Sequence, residues 1–225
     1  MEPVQGPFLR TGPADAPARF LCAHGAGAGA DTPFLRVFAQ QLAERGVVAT
    51  FRFEFAYMAA RRSGGPRKPP PKAERLVDEY RAAVAAAGPG SPLVIGGKSM
   101  GGRVGSLIAD ELHAAGRIAG LVCLGYPFHP PNRPEQLRTR HLAGLSCPAL
   151  IVQGERDPFG SRAEVEALLE AGQLSPAIQF HWAGDGDHDL GPRGSSGFTR
   201  KTNLAAAADA VSAWCRAIMG CADPR

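Results

Sequence analysis

Leu93-Val94-Ile95-Gly96-Gly97-Lys98-Ser99-Met100-Gly101-Gly102-Arg103-Val104 joins a short apolar run to a helix-like stretch that continues to Leu112. Within it, Gly97-Lys98-Ser99-Met100-Gly101 has the GxSxG form of a nucleophile elbow, in which a serine sits on a strained turn between a strand and a helix. Glycines around such a serine leave room for the close backbone approach that the turn requires. A helix starting just after the serine brings unpaired N–H groups and a positive dipole end, so the Met100 amide is a candidate oxyanion donor. The five-residue pattern arises by chance in many chains. Its reading therefore rests on partners elsewhere.

Working outward, short apolar runs alternate with longer helical patterns. Arg19 to Ala23, Val47 to Phe53, Pro92 to Ile95, Ala119 to Leu124, Pro148 to Val152 and Ala177 to Trp182 read as strands. Phe34 to Arg45, Ala73 to Ala87, Gly102 to Ala115, Glu135 to Leu142, Arg162 to Glu170 and Leu204 to Met219 read as helices. Several of the strands are apolar throughout, as suits a parallel sheet covered on both faces. The repeated βα order predicts an α/β fold with a mainly parallel central sheet and helices on both sides. At 225 residues the chain has room for one sizeable core, and residues 1–225 are expected to form a single domain.

A serine hydroxyl is a weak nucleophile and needs a base, and the base needs an acid that fixes its tautomer. In open α/β sheets such groups belong just beyond the carboxyl ends of strands. Downstream of Ser99, Gln153-Gly154-Glu155-Arg156-Asp157-Pro158 follows one predicted strand and Asp185-Gly186-Asp187-His188-Asp189 follows the next. His188 lies on a Gly- and Asp-rich loop suited to a reaching base, whereas His113 falls inside a helix and His181 inside a strand. Asp157 competes with Glu155 for the acid, and the Asp-Pro turn favours Asp157 because it projects the carboxylate from a rigid bend. Asp187 and Asp189 are expected to bond backbone N–H groups and shape the loop.

Upstream, His24-Gly25-Ala26-Gly27-Ala28-Gly29 follows the first strong strand and offers a second oxyanion donor, with the Ala26 N–H first and Gly25 next. A phosphate-binding loop is the alternative reading of this stretch. It lacks the Walker lysine and hydroxyl, and the dinucleotide fingerprint would place its glycines differently, although Glu54 stands near the expected acidic position.

Composition limits the other function classes. Lys and Arg number 25 against 21 Asp and Glu, a small excess. The one dense basic stretch, Arg61 to Lys72, is broken by Gly64-Gly65 and Pro69 to Pro71 and reads as a surface loop without the interleaved aromatics of a nucleic-acid site. No nucleic-acid or membrane partner is expected. Met1 to Pro17 lacks the form of a signal peptide, no apolar run approaches membrane-spanning length, and a cytoplasmic location is expected. Five cysteines is an odd count; Cys22, Cys123 and Cys147 lie in or beside apolar runs, as buried thiols do. No CxxC spacing appears, so no metal and no cofactor are expected.

The strings HGAGAG, GKSMGG, GERDP and GDHD, in that order, resemble the α/β-hydrolase superfamily over nearly the whole chain. The longer strings FRFEFAYM, GGKSMGGRV, LVCLGYPFHPP, LRTRHL, QGERDPFG and DGDHDL are similar to a small, lidless hydrolase-like family that includes testis-expressed and chromatin-complex relatives in animals. Carried over, the resemblance implies Ser99 as nucleophile, Asp157 as acid, His188 as base, and the Met100 and Ala26 amides as the oxyanion hole. It brings no substrate. The chain departs from the family at Ala56, where proline is expected, and in the length of the Arg61 to Lys72 loop.

In this superfamily a cap enters after the strand that ends at Leu124, and here only Tyr126 to Cys147 is available, which excludes a large lid. An open cleft should result, fit for small or extended polar substrates. Tyr126, Phe128 and His129 leave that strand end and either line the cleft or pack the loop. Lys98 and Arg103 flank the serine and Arg193 follows the base. Facing the cleft they would favour an anionic substrate; otherwise Lys98 is a solvated cation and Arg103 a structural ion pair. The leading expectation is a serine hydrolase acting on a small-molecule ester, thioester or amide, with esterase activity first. The alternative is a catalytically silent binding or scaffold protein on the same fold.

Overall fold

The computed structural model describes residues 4–5, 7–66 and 69–220, and within them the apolar runs become strands and the longer amphipathic stretches helices. The strands are β1 (Val4–Gln5), β2 (Phe8–Thr11), β3 (Ala18–Ala23), β4 (Val48–Phe53), β5 (Leu93–Lys98), β6 (Gly120–Leu124), β7 (Ala149–Gly154) and β8 (Ile178–Ala183). The helices are α1 (Pro33–Ala43), α2 (Ala56–Arg62), α3 (Val77–Ala86), α4 (Met100–Ala114), α5 (Arg162–Glu170) and α6 (Arg200–Ile218), with a 3-10 turn at Ala73–Arg75. One sheet has the order β1-β2-β4-β3-β5-β6-β7-β8. It is parallel from β4 to β8 and antiparallel at the β1/β2 and β2/β4 edge. This is an α/β-hydrolase fold without a large cap.

Alternation along the strands divides the core into two layers. Leu21 and Ala23 of β3, Ile95 of β5 and Leu121 and Cys123 of β6 face one side, where Tyr80 of α3, Val104 and Ile108 of α4 and Val165 of α5 cover them. Phe20 and Cys22, Val94, and Val122 and Leu124 face the other, against Leu35, Phe38 and Leu42 of α1 and Leu204, Val211 and Trp214 of α6. Because both faces are covered, these strands show no polar alternation. Each large apolar side chain removed from water in this way contributes about 1.5–3 kcal/mol. Cys22, Cys123, Cys147 and Cys215 are free and buried within these layers.

The structure departs from the sequence reading in four places. The edge strands β1 and β2 are additional; β2 is too short, with only Phe8 and Thr11 buried, to carry a periodic signal. The predicted helix over Ala73 to Ala87 is split into a 3-10 turn and α3. Arg61 and Arg62 form the last turn of α2, and Arg62 is tied to Glu54 at 2.6 Å and Asp31 at 2.9 Å; Arg67 and Lys68 lie outside the described residues, as does Cys221. Glu135 to Leu142 is not a helix. Its backbone is committed to distant partners: the Arg138 N–H donates to Phe128 O at 2.7 Å, Arg138 O accepts the Tyr126 hydroxyl at 2.9 Å, and Leu142 O accepts the Ser175 N–H at 3.0 Å. A helical ladder would need those same groups.

Candidate active site

The loops at the carboxyl ends of β3, β5, β7 and β8 converge on Ser99. Its backbone has φ 50° and ψ −115°, a conformation that L-residues with a side chain rarely adopt. Tight packing holds it there. Gly97 has φ 145°, and a Cβ on it would run into the backbone of Ala23. A Cβ on Gly101 would come within 2.5 Å of Ala23 O. Only glycines let the first turn of α4 lie this close to β3. The Ser99 N–H donates to Leu124 O at 3.0 Å, completing the turn.

Three predicted side chains meet here. His188 Nε2 lies 2.9 Å from Ser99 Oγ, and His188 Nδ1 lies 2.7 Å from Asp157 Oδ2. A carboxylate at Nδ1 selects the tautomer that carries its proton there, leaving Nε2 to accept from the hydroxyl. Asp157 is fully buried and its turn is fixed locally, since its Oδ1 accepts the Phe159 N–H at 2.8 Å. Glu155, the competing acid, instead accepts the Asp185 N–H at 2.8 Å and pairs with Arg162 at 3.0 Å. Asp187 shapes the loop as expected, its Oδ1 taking the Asp189 N–H at 2.9 Å and the Gly191 N–H at 2.8 Å.

Gln153, which the sequence reading passed over, stands behind the acid. It is fully buried. Its Nε2 donates among Asp157 Oδ2 at 3.0 Å, Gly160 O at 3.0 Å and Tyr126 O at 3.2 Å, and its Oε1 accepts the Tyr126 N–H at 2.7 Å. The side chain sits on β7 in the middle of an apolar run, where a lone glutamine is the only clue. The Phe159 ring, with its centroid 4.3 Å from that of His188, packs against the base.

The loop after β3 is held by His24, whose Nδ1 donates to Gly25 O at 2.6 Å while Nε2 accepts the Phe55 N–H at 3.2 Å. Burial pushes its pKa down, consistent with the neutral ring that this donor and acceptor pair requires. The Tyr57 hydroxyl donates to Ala26 O at 3.0 Å and so fixes the Ala26 peptide. Gly25 packs beside Ser99 and lines the cleft with Ala26. Met100 opens α4, so its N–H has no acceptor one turn back within the helix.

Lys98 is not a solvated cation. It is 7% exposed, and its Nζ donates to His188 O at 2.7 Å and pairs with Asp189 at 3.3 Å, bracing the loop that carries the base. Burial lowers its pKa, against the opposing pull of Asp189 and Asp157. Arg103 pairs with Glu74 at 2.5 Å, and Arg193 turns to Asp185 at 2.6 Å, away from the cleft. Tyr126, Phe128 and His129 must be corrected as cleft residues: all three are buried. Tyr126 and Phe128 pack edge to face 5.0 Å apart, and His129 Nδ1 donates to Pro130 O at 2.9 Å. Gly125, with φ 68°, turns the chain inward beside His188, so the aromatic residues after it go under the loop. Pro127 reaches the cleft in their place.

Two lobes open from Ser99, sharing Ala26 and Phe159. One, about 490 Å³, has an apolar wall of Pro33, Phe34 and Leu35, with Lys98 at its base and Asp189 and Arg200 on the far side. The other, about 890 Å³, is walled by Pro71, Met100 and Pro127 and by several cationic side chains. Among the described residues no cluster of three or more His, Cys, Asp or Glu side chains is placed to hold a metal ion, and no helix is long and apolar enough to cross a membrane.

A family model described as the alpha/beta hydrolase domain matches residues 16–216. Among solved structures, the chain is similar to a lidless a/b serine hydrolase from Xanthomonas campestris, at 17% identity over 93% of this chain and 88% of that one, with a TM-score of 0.62. It is similar to the esterase domain of a Rhodothermus marinus protein at 16% identity over 93% and 92% of the two chains, TM-score 0.62. A dienelactone hydrolase from Anabaena variabilis is 20% identical over 91% and 88%, TM-score 0.62. At such identities the likeness is one of fold.

Proposed function

The chain belongs to the alpha/beta hydrolase domain family, and on that premise we propose that it is a serine hydrolase, esterase-like, acting on small-molecule esters. The observation that carries this is the unbroken hydrogen-bonded series from buried Asp157 through His188 to Ser99, at 2.7 and 2.9 Å, ending at a hydroxyl on an open cleft. A scaffold protein would have no need to hold all three groups in reacting geometry.

In the proposed reaction, His188 Nε2 takes the proton as Ser99 Oγ bonds to the substrate carbonyl. The Met100 and Ala26 N–H groups receive the oxyanion. The ester C–O bond breaks as His188 gives its proton to the leaving alkoxide, which departs as an alcohol. Water then enters, its proton goes to His188, and the acyl bond to Oγ breaks to release the acid and restore the serine. Thioesters and amides fit the same steps with a thiol or amine as leaving group. The narrower kinship with small lidless relatives rests on the longer strings around Phe51, Ser99 and Asp157. Among the described residues four thiols are buried and unpaired, which fits a reducing compartment, and the cytoplasm is where we place the activity.

A fluorophosphonate probe tests the reading. Wild type should label at one site and turn over short-chain nitrophenyl esters, and Ser99→Ala should do neither. Absence of labelling in wild type, or labelling undiminished in Ser99→Ala, refutes it.

A further inference from the structure

The two lobes differ in chemistry as well as in size. Beside the apolar wall of Pro33, Phe34 and Leu35, the opposite lobe carries Lys72, Arg75, Arg103 and Arg138 against a single carboxylate, Glu74. Glu74 is already used by Arg103. Among the described residues the Arg138 guanidinium has neither a hydrogen bond nor an ion pair, and Arg103 Nε is buried without a partner. Arg103 thus offers one satisfied edge to Glu74 and keeps an unsatisfied one.

The excess of positive over negative charge leaves its mark on the neighbours. Burial first and then the adjacent Arg103 push the Arg138 pKa down, against a smaller opposing pull from Tyr126 and Glu74. His141, next along the same surface, is pushed down to about 4, first by burial and then by Arg103. Two half-buried guanidiniums that have only Glu74 near both repel each other, since that one carboxylate is hydrogen-bonded to Arg103 alone, and a second anion between them would relieve the repulsion. Guanidiniums present planar forks that match a carboxylate in two-point contact.

Taking the serine hydrolase reading as its basis, we infer that the substrate is an ester of two unlike arms, one apolar and one bearing a carboxylate, the charged arm lying against Arg103 and Arg138. The apolar arm lies along Phe34 and Leu35. Lys98 is not part of the anion site, because its ammonium is held by His188 O and Asp189. Lys72 and Arg75 stand exposed at the rim, where they draw anions in from solution.

The test compares matched esters differing only in charge. Nitrophenyl hemiglutarate against nitrophenyl valerate places the carboxylate on the acyl arm; 4-acetoxybenzoate against 4-acetoxybenzamide places it on the leaving arm. In at least one pair the charged ester should be preferred in kcat/KM by about tenfold, the worth of one charge-assisted hydrogen bond. Arg138→Gln should bring that ratio close to one and Arg138→Lys restore part of it. Lys72→Glu, at an exposed position, should lower it with the fold intact, and 0.5 M salt should weaken the preference in wild type. If wild type leaves every ester intact and is not labelled at Ser99, the hydrolase reading falls and this inference with it. If neutral esters are turned over as well as their charged partners, or the ratio survives in both Arg138→Gln and Lys72→Glu, the cationic subsite alone is refuted.

Discussion

Replacing Gln153 with leucine removes the group that braces the Asp157 carboxylate while nearly conserving volume. In the native site its amide donates to Asp157 Oδ2 at 3.0 Å and Gly160 O at 3.0 Å, and accepts the Tyr126 N–H at 2.7 Å. With no exposure at Gln153, water cannot take over these roles. A buried backbone N–H left without an acceptor costs about 1–3 kcal/mol, and a hydrogen bond lost from a charged group about 1.5–3 kcal/mol. The leucine recovers roughly 1 kcal/mol by burying added apolar surface. The net expectation is a loss of about 3 kcal/mol. For a chain of this size each kcal/mol moves Tm by about 2–4 °C, so thermal unfolding of Gln153→Leu should fall by about 6–12 °C. Turnover should suffer as well, because Asp157 keeps His188 but loses the donor that fixes its other approach. We expect kcat to drop by about ten- to a hundredfold with KM little changed, since the substrate does not touch Gln153. Differential scanning calorimetry and ester hydrolysis measure the two effects. A Tm within 2 °C of wild type together with kcat within twofold would refute the claim that Gln153 positions the acid.

Two further outcomes follow from the same geometry. Burial lowers the Lys98 pKa below its ordinary value of 10.5, so the unfolded chain binds this proton more tightly than the folded one. Stability from this group therefore rises with pH between the lowered folded value and 10.5. In Lys98→Met that rise is absent, and urea midpoints should favour wild type increasingly as pH climbs through this window; a pH-independent difference would contradict the assignment. At Gly97, φ is 145° and a Cβ has no space against Ala23. Gly97→Ala should cost several kcal/mol and expel the turn from its conformation, read as lost soluble yield and lost fluorophosphonate labelling; a fully labelled variant would show that β3 can give way.

Much of the fold was legible because the parallel strands are apolar on both faces and their helices are amphipathic, which are local properties of the chain. The edge strand β2 escaped notice because four residues with mixed burial carry no period. The false helix over Glu135 to Leu142 has ordinary helix formers in it. What cancels them is the long-range demand of Phe128, Tyr126 and Ser175 on its backbone. Ser99, Asp157 and His188 were readable as candidates because each follows a strand in a turn-forming context. Gln153, Phe159 and Arg138 were not, since nothing in a strand interior or a loop says that its side chain will come to rest against Asp157, against His188 or in a lobe beside Ser99.

The sequence by itself determined the order of elements, the strained serine turn and the identity of the groups able to react, because glycine spacing and apolar runs act over a few residues. Tertiary structure alone decided how the other charges are used. Lys98 is drawn inward because the carbonyl of His188, ninety positions away in sequence, needs a donor in the same buried space. Tyr126 and Phe128 turn under the loop rather than into the cleft. Arg103 and Arg138, well separated along the chain, share one lobe beside Ser99. Electrostatic and packing energies depend on distances that only the folded chain sets.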